Sequence, residues 1–283
     1  MSSSENSSFS SSFSTAYHEA KGFQKVSAVI SVVASFIGFI LMIDWGVKTQ
    51  SSESFLGGLN FNEQILNLHP VFMYGGMVFA FTAAIVSFRL IPLPKAWVKM
   101  VHVVCHTFAT VFIVLGIVCV VVGNNKNDYS NLYSLHSFIG LGAIFVYCQN
   151  YVLGVYYFLS SLVMVPVEYR KVYLPIHVCL GGVAFVLALM AVETGIMELF
   201  VDYGCGYTVT SPDTDPIQNY HRLTYGCQIA NGIAVVTGLV AVTAFIALYK
   251  FPKDLFANTA LEKLINGGGE DQPPNRDSSL QMI

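Results

Sequence analysis

The sequence predicts an all-α membrane protein with six transmembrane helices. Of its 283 residues, 54% are hydrophobic and only 11% are charged, whereas a soluble domain carries roughly 25% charged residues. Six separate stretches are apolar over about the 20 residues that a helix needs to cross a bilayer. The net charge of −3 leaves no basic face to neutralise phosphates, which argues against a nucleic-acid partner.

The six predicted spans, numbered in chain order, account for most of the sequence. They centre on residues 26–43, 71–88, 101–122, 138–163, 172–197 and 229–248. An even number of spans places both chain ends on the same side of the membrane. Of the 14 lysine and arginine residues, only Lys48, Lys126 and Arg222 fall on the opposite side. The positive-inside rule therefore predicts cytoplasmic termini.

The two ends of the chain differ from the spans in composition. Residues 1–21 are rich in serine and contain no apolar stretch, so they do not predict a cleavable signal peptide. Residues 251–283 are mostly polar, with clustered glycine and proline. We therefore expect a six-helix membrane domain over 22–250, flanked by disordered cytoplasmic tails over 1–21 and 251–283.

Two of the six cysteines stand apart from the rest. Four lie inside spans, where a thiol is most often a small packing residue. Cys205 and Cys227 fall at the outer end of span 5 and the outer start of span 6, in an oxidising compartment. A disulfide between them would close the outer loop, but the sequence leaves open whether their Cα separation allows one.

Five histidines lie at the starts of spans 2 to 5 or just inside them: His69, His102, His106, His136 and His177. Because the direction of the helices alternates, their depths can be inferred. Spans 2 and 4 enter from outside, which places His69 and His136 at an outer level. Spans 3 and 5 enter from the cytoplasm, which places the other three near an inner level. The sequence therefore predicts one pair near each face, with one histidine left over.

Histidines at these depths allow several interpretations. A single membrane histidine is most often a packing or hydrogen-bonding residue, but ionisable groups inside the bilayer are rare and usually functional. Two imidazoles facing each other from different helices can hold a haem iron, and filling both axial positions favours electron transfer over oxygen binding. Glycines at 75, 76, 140 and 142 would give a macrocycle room, or would allow close helix packing.

The pair His102 and His106 supports a different function class. Residues four apart share one helical face, so these two imidazoles could chelate a divalent ion in a haem-free metal transporter. A transporter would usually add carboxylates at mid-membrane depth, whereas spans 2 to 5 contain only Glu193 and Glu198, both towards the outer end of span 5. A purely structural bundle is the third interpretation, and five histidines argue against it.

Four histidine-containing motifs resemble the cytochrome b561 family. They are NLHPVFMYGGMVF (67–79), KMVH (99–102), NLYSLHSFIG (131–140) and YLPIHVCLGG (173–182), in that order along the chain. The resemblance covers about residues 22–250. It implies two b-type haems in a four-helix bundle of spans 2 to 5, with His69 and His136 on the outer haem iron and His102 and His177 on the inner one. It leaves His106 as a hydrogen-bonded or packed residue between the haems.

The resemblance also implies an activity. Family members are ascorbate-dependent oxidoreductases that take electrons from cytoplasmic ascorbate and pass them through the two haems to monodehydroascorbate or a ferric chelate on the other side. The implied location is the plasma membrane or an endosomal, lysosomal or secretory vesicle membrane. Spans 1 and 6 flank the bundle and offer lipid-facing surfaces for a homodimer.

The resemblance assigns further residues to the two haems and to ascorbate. The expected inner haem contacts are Arg89, Lys95, Arg170 and, from the start of the tail, Lys253; the expected ascorbate contacts are Lys95, Lys99 and Arg170. The expected outer haem contacts are Asn131, Leu132, Tyr133, Ser134 and Glu198. As an alternative, the inner cations serve only to anchor helix ends.

The sequence departs from the family near the outer substrate site. Family members often carry a histidine early in the loop between spans 3 and 4, where this chain has Asn124. Ferric binding at that position is therefore not expected. His221, Asp213 and Asp215 in the long outer loop could substitute, although a solvated insertion is the simpler interpretation of that loop.

Overall fold

The structure, a computed structural model, describes residues 3–48, 57–159, 165–202, 205 and 225–249, with side chains from residue 22 onwards except 201 and 202. Residues Gln24–Leu248 form one compact unit, which does not include the two ends of the chain, and the side-chain contacts described below lie within it. Among the described residues the regular structure is entirely helical.

Among the described residues, six helices are long and apolar enough to cross a membrane, so the predicted all-α fold with six spans is confirmed. We label them α1 (Ser3–Lys48), α2 (Ile65–Leu90), α3 (Lys95–Lys126), α4 (Leu135–Phe158), α5 (Val167–Asp202) and α6 (Tyr225–Leu248). Only Gly22–Lys48 of α1 is apolar enough to span. Residues 3–21, which the sequence predicts as a tail, are the helical start of α1.

The four middle helices pack as two antiparallel pairs. α2 packs along α3, and α4 packs along α5, whereas α3 and α4 scarcely contact each other although they follow one another in the chain. α6 packs against both α5 and the second half of α2. Buried side chains from all six helices join in one continuous core that includes Tyr74, Ile113 and Tyr147. Large apolar side chains such as Val235 and Phe245 are exposed on the outside, as expected for a surface in contact with lipid.

A π-helical turn interrupts α2 at Gly75–Ala80. Glycine is needed at its start because a Cβ at position 75 would lie 2.7 Å from the Phe39 ring, and one at position 76 would lie 2.9 Å from the Ala109 carbonyl oxygen. These two glycines therefore serve close helix packing. Gly140 and Gly142 differ, because a Cβ at either position would meet no atom within 4 Å.

A disulfide joins Cys205, just after α5, to Cys227 in the first turn of α6. The two Cα atoms are 5.8 Å apart, which lies within the usual range for a disulfide. The pairing that the sequence leaves open is therefore present in the structure, and it ties the end of α5 to the start of α6.

Candidate haem sites

His69 of α2 and His136 of α4 face each other at one end of the bundle, and we call them the first pair. Their ring centres are 6.1 Å apart and their planes are nearly perpendicular, at 86°. His102 of α3 and His177 of α5 face each other at the opposite end, with ring centres 6.3 Å apart, and we call them the second pair. The structure thus brings together the histidines that the sequence places at equal depth.

Both separations fit a metal ion held between two imidazoles. A metal–nitrogen bond of about 2 Å on each side, plus roughly 1 Å from each nitrogen to its ring centre, separates two axial rings by roughly 6 Å. The rings of each pair come from different helices, so their fit depends on helix packing and not on local spacing. The residues present therefore suit a six-coordinate haem iron at each end.

Hydrogen bonds to backbone carbonyls orient three of these four imidazoles. Nδ1 of His69 is 2.9 Å from the Gly116 carbonyl oxygen, and Nδ1 of His102 is 2.9 Å from that of Ala84. Nδ1 of His136 is 2.8 Å from the carbonyl oxygen of Ala191. A carbonyl can only accept, so in each case Nδ1 carries the proton and Nε2 keeps its lone pair. This is the tautomer that a metal-ligating histidine needs.

The carbonyl acceptors follow a repeated spacing along the helices. Gly116 comes 14 residues after His102 on α3, and Ala191 comes 14 residues after His177 on α5. On α2 the interval from His69 to Ala84 is 15 residues, and it contains the π turn. A π turn inserts one extra residue, but the residues before and after it stay on the same face of the helix. In all three helices the histidine and the carbonyl therefore have the same relative position. At 1.5 Å per residue, 14 residues separate the two ends by roughly 21 Å.

Two glycines make room for the histidines on α4 and α5. A Cβ at Gly195 of α5 would lie 2.9 Å from Nδ1 of His136, and a Cβ at Gly154 of α4 would lie 2.9 Å from Cε1 of His177. Each glycine follows the histidine of its own helix by 18 residues. The two helices thus contact each other reciprocally, and each one accommodates the other's ligand. Sequence reasoning missed both glycines, although the equal intervals are visible in the sequence.

The sequence of this bundle is similar to those of known proteins. The family described as eukaryotic cytochrome b561 matches residues 68–201, which include all four facing histidines. A probable ascorbate-specific transmembrane electron transporter 2 of Oryza sativa subsp. japonica is 31% identical over 185 residues, covering 64% of this chain and 73% of the relative.

The chain belongs to the cytochrome b561 family.

Two further relatives carry related names. A probable ascorbate-specific transmembrane electron transporter 1 of Oryza sativa subsp. japonica is 35% identical, over 51% of this chain and 63% of the relative. A lysosomal membrane ascorbate-dependent ferrireductase of Homo sapiens is 35% identical, over 50% of this chain and 60% of the relative. This chain thus spans less than two thirds of the length of these two relatives. Membership of the cytochrome b561 family implies haem b as the cofactor.

His106, the one histidine of the five in the spans that belongs to neither pair, lies one turn beyond His102 on α3. Its ring centre is 4.5 Å from that of His102 and 5.1 Å from that of Phe81. The Tyr147 hydroxyl donates to the His106 carbonyl oxygen at 2.8 Å and lies 3.3 Å from the His106 Nδ1. Because the hydroxyl proton is used, the hydroxyl oxygen accepts from Nδ1–H. His106 is therefore a hydrogen-bonded core residue beside the second pair.

The predicted cations lie at the second-pair end of the bundle. Lys99 donates through Nζ to the Phe158 carbonyl oxygen at 2.6 Å, and the Phe158 ring centre is 5.5 Å from that of His177. Arg170 is exposed and donates through Nε to the Val165 carbonyl oxygen at 3.0 Å. Arg89 is half-buried at the end of α2, and Lys95 is exposed at the start of α3. None of these four cations forms an ion pair with a carboxylate of the described residues.

Two cations at the first-pair end, by contrast, form ion pairs with carboxylates. Lys126 forms an ion pair with Glu63 at 3.1 Å, and Lys48 forms one with Asp44 at 2.7 Å. Both are therefore neutralised by nearby carboxylates. In the part of the chain that the structure describes, unpaired positive charge is concentrated at the second-pair end.

The segment before α4 is tied to the end of α5 through Glu198. The Tyr133 hydroxyl donates to Oε1 of Glu198 at 2.7 Å, and the Ser134 hydroxyl donates to Oε2 at 2.9 Å. Ser134 also caps α4, since its Oγ accepts from the Ser137 backbone N–H. Glu198 and Ser134 are half-buried beside the helix that carries His136. This carboxylate therefore ties the start of α4 to the end of α5.

Two other predicted residues of this segment are exposed, and their contacts are local. The Asn131 side chain bonds to those of Asn124 and Asn125, each at 3.0 Å, and Leu132 has a positive φ of 54°. Asn124 thus belongs to an amide cluster at the first-pair end. Lys253, His221, Asp213 and Asp215 lie outside the described residues.

Proposed function

We propose that this protein transfers electrons across a membrane from ascorbate to an acceptor on the opposite side, using two haem b groups. His69 and His136 would hold one haem, and His102 and His177 would hold the other. The observation that carries the proposal is the pair of facing imidazoles at each end of one bundle, about four helical turns apart, with Nε2 available. When bound, haem b supplies a one-electron iron couple, and two histidine ligands leave no open iron position for other chemistry.

The chain's own residues set the geometry for that transfer. The carbonyls of Ala84, Gly116 and Ala191 hold a proton on Nδ1 of three ligands and keep Nε2 directed into the gap between the helix pairs. Rigid helices fix both ends, so little reorganisation is needed when charge changes. The apolar core between the pairs, which includes Phe81 and Phe185 with ring centres 5.3 Å apart, excludes water from the path.

The charge distribution supports ascorbate as the donor at the second-pair end. Ascorbate is an anion at neutral pH, and Lys95, Lys99 and Arg170 have no carboxylate partner there among the described residues. Lys99 donates to the carbonyl oxygen of Phe158, whose ring contacts that of His177. The ammonium group of Lys99 therefore lies near His177. Arg89 and Lys95 would balance the haem propionates. By the positive-inside rule, this end and both termini would lie in the cytoplasm.

The acceptor at the first-pair end would be monodehydroascorbate or a ferric chelate. The names of the relatives include both electron transporters and a ferrireductase. Within the described ranges, no three His, Cys, Asp or Glu side chains form a group that could hold a metal ion. His221, Asp213 and Asp215, which lie outside those ranges, would be the candidates for contact with a ferric acceptor.

The alternative function, a metal transporter built on His102 and His106, is less well supported. The two imidazoles meet edge to face at 4.5 Å, and their Nδ1 atoms contact the Ala84 carbonyl and the Tyr147 hydroxyl. A transported divalent ion would need further ligands, and among the described residues no three His, Cys, Asp or Glu side chains form a group that could hold a metal ion. The named relatives are electron transporters and reductases.

The protein would act in the plasma membrane or in an endosomal, lysosomal or secretory vesicle membrane. Its six spans and its membrane relatives make it a multi-pass membrane protein. A homodimer would form through α1 and α6, both of which expose apolar side chains such as Phe36 and Phe245.

Absorption spectroscopy of the purified protein tests this proposal. We expect two haems per chain, with a six-coordinate low-spin spectrum that ascorbate reduces. Proteoliposomes that contain ascorbate should then reduce a ferric chelate added outside. A colourless protein that binds zinc, or a coloured one that ascorbate leaves oxidised, would contradict the proposal.

A further inference from the structure

Helices α3 and α4 follow one another in the chain but meet along a loose seam. Each packs tightly against a different partner, α3 against α2 and α4 against α5, and neither α1 nor α6 packs along α4. The opposite seam, between α2 and α5, differs because α6 packs against both of its helices. Among the described helices, the seam between α3 and α4 is therefore the side of the bundle that is left facing the membrane.

Two tyrosines of α4 close the middle of this seam. The hydroxyl of the buried Tyr147 donates to the His106 carbonyl oxygen at 2.8 Å and lies 3.2 Å from the Thr110 hydroxyl oxygen. One turn further along α4, the Tyr151 hydroxyl lies 2.9 Å from the Thr107 hydroxyl oxygen. Because Thr107 donates its own proton within α3, Tyr151 is the donor. We call these two successive links across the seam the tyrosine latch.

The latch lies beside the second pair. The His106 ring centre is 4.5 Å from that of His102, and it is 5.6 Å and 6.4 Å from those of Tyr147 and Tyr151. In the described part of the chain, the one other hydrogen bond between α3 and α4 is that of Lys99 at the second-pair end. His102 thus belongs to the stretch of α3 between these two points of contact.

The other sides of the second site are closed by close packing. A Cβ at Gly154 of α4 would lie 2.9 Å from the His177 ring, so α4 and α5 have no spare room there. The rings of Phe81 and Phe185 meet across the seam between α2 and α5, with centres 5.3 Å apart. The seam between α3 and α4 is held instead by hydroxyl groups, and Thr107 is exposed. Opening this seam would break side-chain hydrogen bonds without repacking a tight helix pair.

We propose that the haem of the second site enters and leaves the bundle sideways, from the membrane, through the seam between α3 and α4, and that the tyrosine latch controls this passage. The inference rests on the proposed haem-binding function. A macrocycle with a large apolar body can travel within hydrocarbon. No water is available at this depth to replace a broken hydroxyl contact, so each link raises the barrier to opening. A latch acts on entry and exit alike, and it therefore sets the rates without changing the affinity.

The experiment measures exchange of bound haem in proteoliposomes that contain the holoprotein. Deuterated haem is supplied in the lipid, and the extracted haem is followed by mass spectrometry. Tyr147→Phe and Tyr151→Phe each remove one hydroxyl and keep the ring. We expect the second-site haem to exchange several-fold faster in each variant and faster still in the double variant. The share of haem kept at equilibrium with apomyoglobin should not change.

Two controls separate the latch from a general loosening of the bundle. Tyr156→Phe is the matched substitution, because Tyr156 is exposed on α4 and its ring contacts that of Tyr157 on the same helix. It should leave exchange unchanged. In a His102→Leu background, which should keep the first haem alone, the latch substitutions should also leave exchange unchanged.

The contrary outcomes are distinct. Unchanged exchange in the double variant would overturn the inference. Faster exchange with a matching loss of haem at equilibrium would show a weakened site and would overturn it as well, as would equal acceleration in either control. If the wild-type protein binds no haem, the proposed function itself fails; if haem is bound, only the inference is at stake.

Discussion

Gly195 offers a sharp test of the helix crossing that surrounds the first pair. Its Cα lies so close to the His136 ring that a Cβ would stand 2.9 Å from Nδ1 and 3.0 Å from Cε1. That nitrogen donates to the Ala191 carbonyl at 2.8 Å. Gly195→Ala should therefore displace the imidazole and lengthen the hydrogen bond that orients it. Gly154→Ala should likewise displace the His177 imidazole in the second pair.

The expected loss of haem-binding free energy is the sum of three contributions. Ordinary contact begins at 3.4 Å, so the ring must move by about 0.5 Å. Overpacking by one methyl group costs about 1–3 kcal/mol, and the weakened hydrogen bond costs about 1 kcal/mol. The gain in helix propensity from glycine to alanine offsets about 1 kcal/mol. A net cost of roughly 2 kcal/mol corresponds to haem binding about 30-fold weaker at one of the two sites.

The assay is the rate at which haem leaves the purified protein for an excess of apomyoglobin. We expect two equal slow phases in the wild type and one accelerated phase in each variant, from the first site in Gly195→Ala and from the second in Gly154→Ala. Gly238→Ala on α6 is the control, since a Cβ there would meet no atom within 4 Å. Unchanged haem release in Gly195→Ala, or equal acceleration in Gly238→Ala, would refute the argument from helix crossing.

Three further predictions address the ligands, the outer loop and the π turn. His102→Leu removes a ligand and should leave one haem per chain, whereas His106→Leu should retain both, as measured by haem absorbance per protein. Cys227→Ser opens a cross-link between residues 22 apart and should lower the free energy of unfolding by about 3 kcal/mol, measured by thermal melting, without changing either potential. Deleting Ala80 gives α2 the 14-residue interval of the other helices and should retain both haems. Inserting one residue in the middle of α3 turns ligand and carbonyl apart by roughly 100° and should release haem.

Each of these predictions has a contrary outcome. Two haems in His102→Leu would show that another residue ligates the second iron. A shifted haem potential in Cys227→Ser would mean that the disulfide shapes the first site and does not only stabilise the loop. Loss of haem on deletion of Ala80 would show that the π turn has a packing role beyond matching the two intervals.

Much of the bundle could be predicted because its signals are local. The six spans follow from stretches of apolar residues, and the depth of His69, His102, His136 and His177 follows from their place in spans of alternating direction. Hydropathy predicts helix ends less accurately. The fourth predicted span centres on 138–163, whereas α4 ends at Phe158, because hydropathy does not register where a helix terminates. The second predicted span centres on 71–88, although α2 begins at Ile65, so His69 lies inside the helix.

The contacts that orient the ligands could not be predicted in the same way. Alanine and glycine carbonyls have no side-chain signature, so nothing in the sequence marks Ala84, Gly116 or Ala191 as hydrogen-bond acceptors. Gly154 and Gly195 resemble the glycines that merely allow packing elsewhere in the chain. Asn150 is a polar residue in an apolar span, but its side chain donates to the carbonyl oxygen of His177, which is 27 residues away on another helix.

The sequence alone establishes the number of spans, the level of each span histidine and the excess of positive charge on the side of the chain ends. It could do so because rise per residue is constant along a helix and the bilayer sorts residues by polarity. Only the folded structure reveals which carbonyl or glycine lies against the imidazoles. Those contacts depend on how far each helix is rotated and how it crosses its neighbour, which is settled by side-chain packing between segments far apart in the chain.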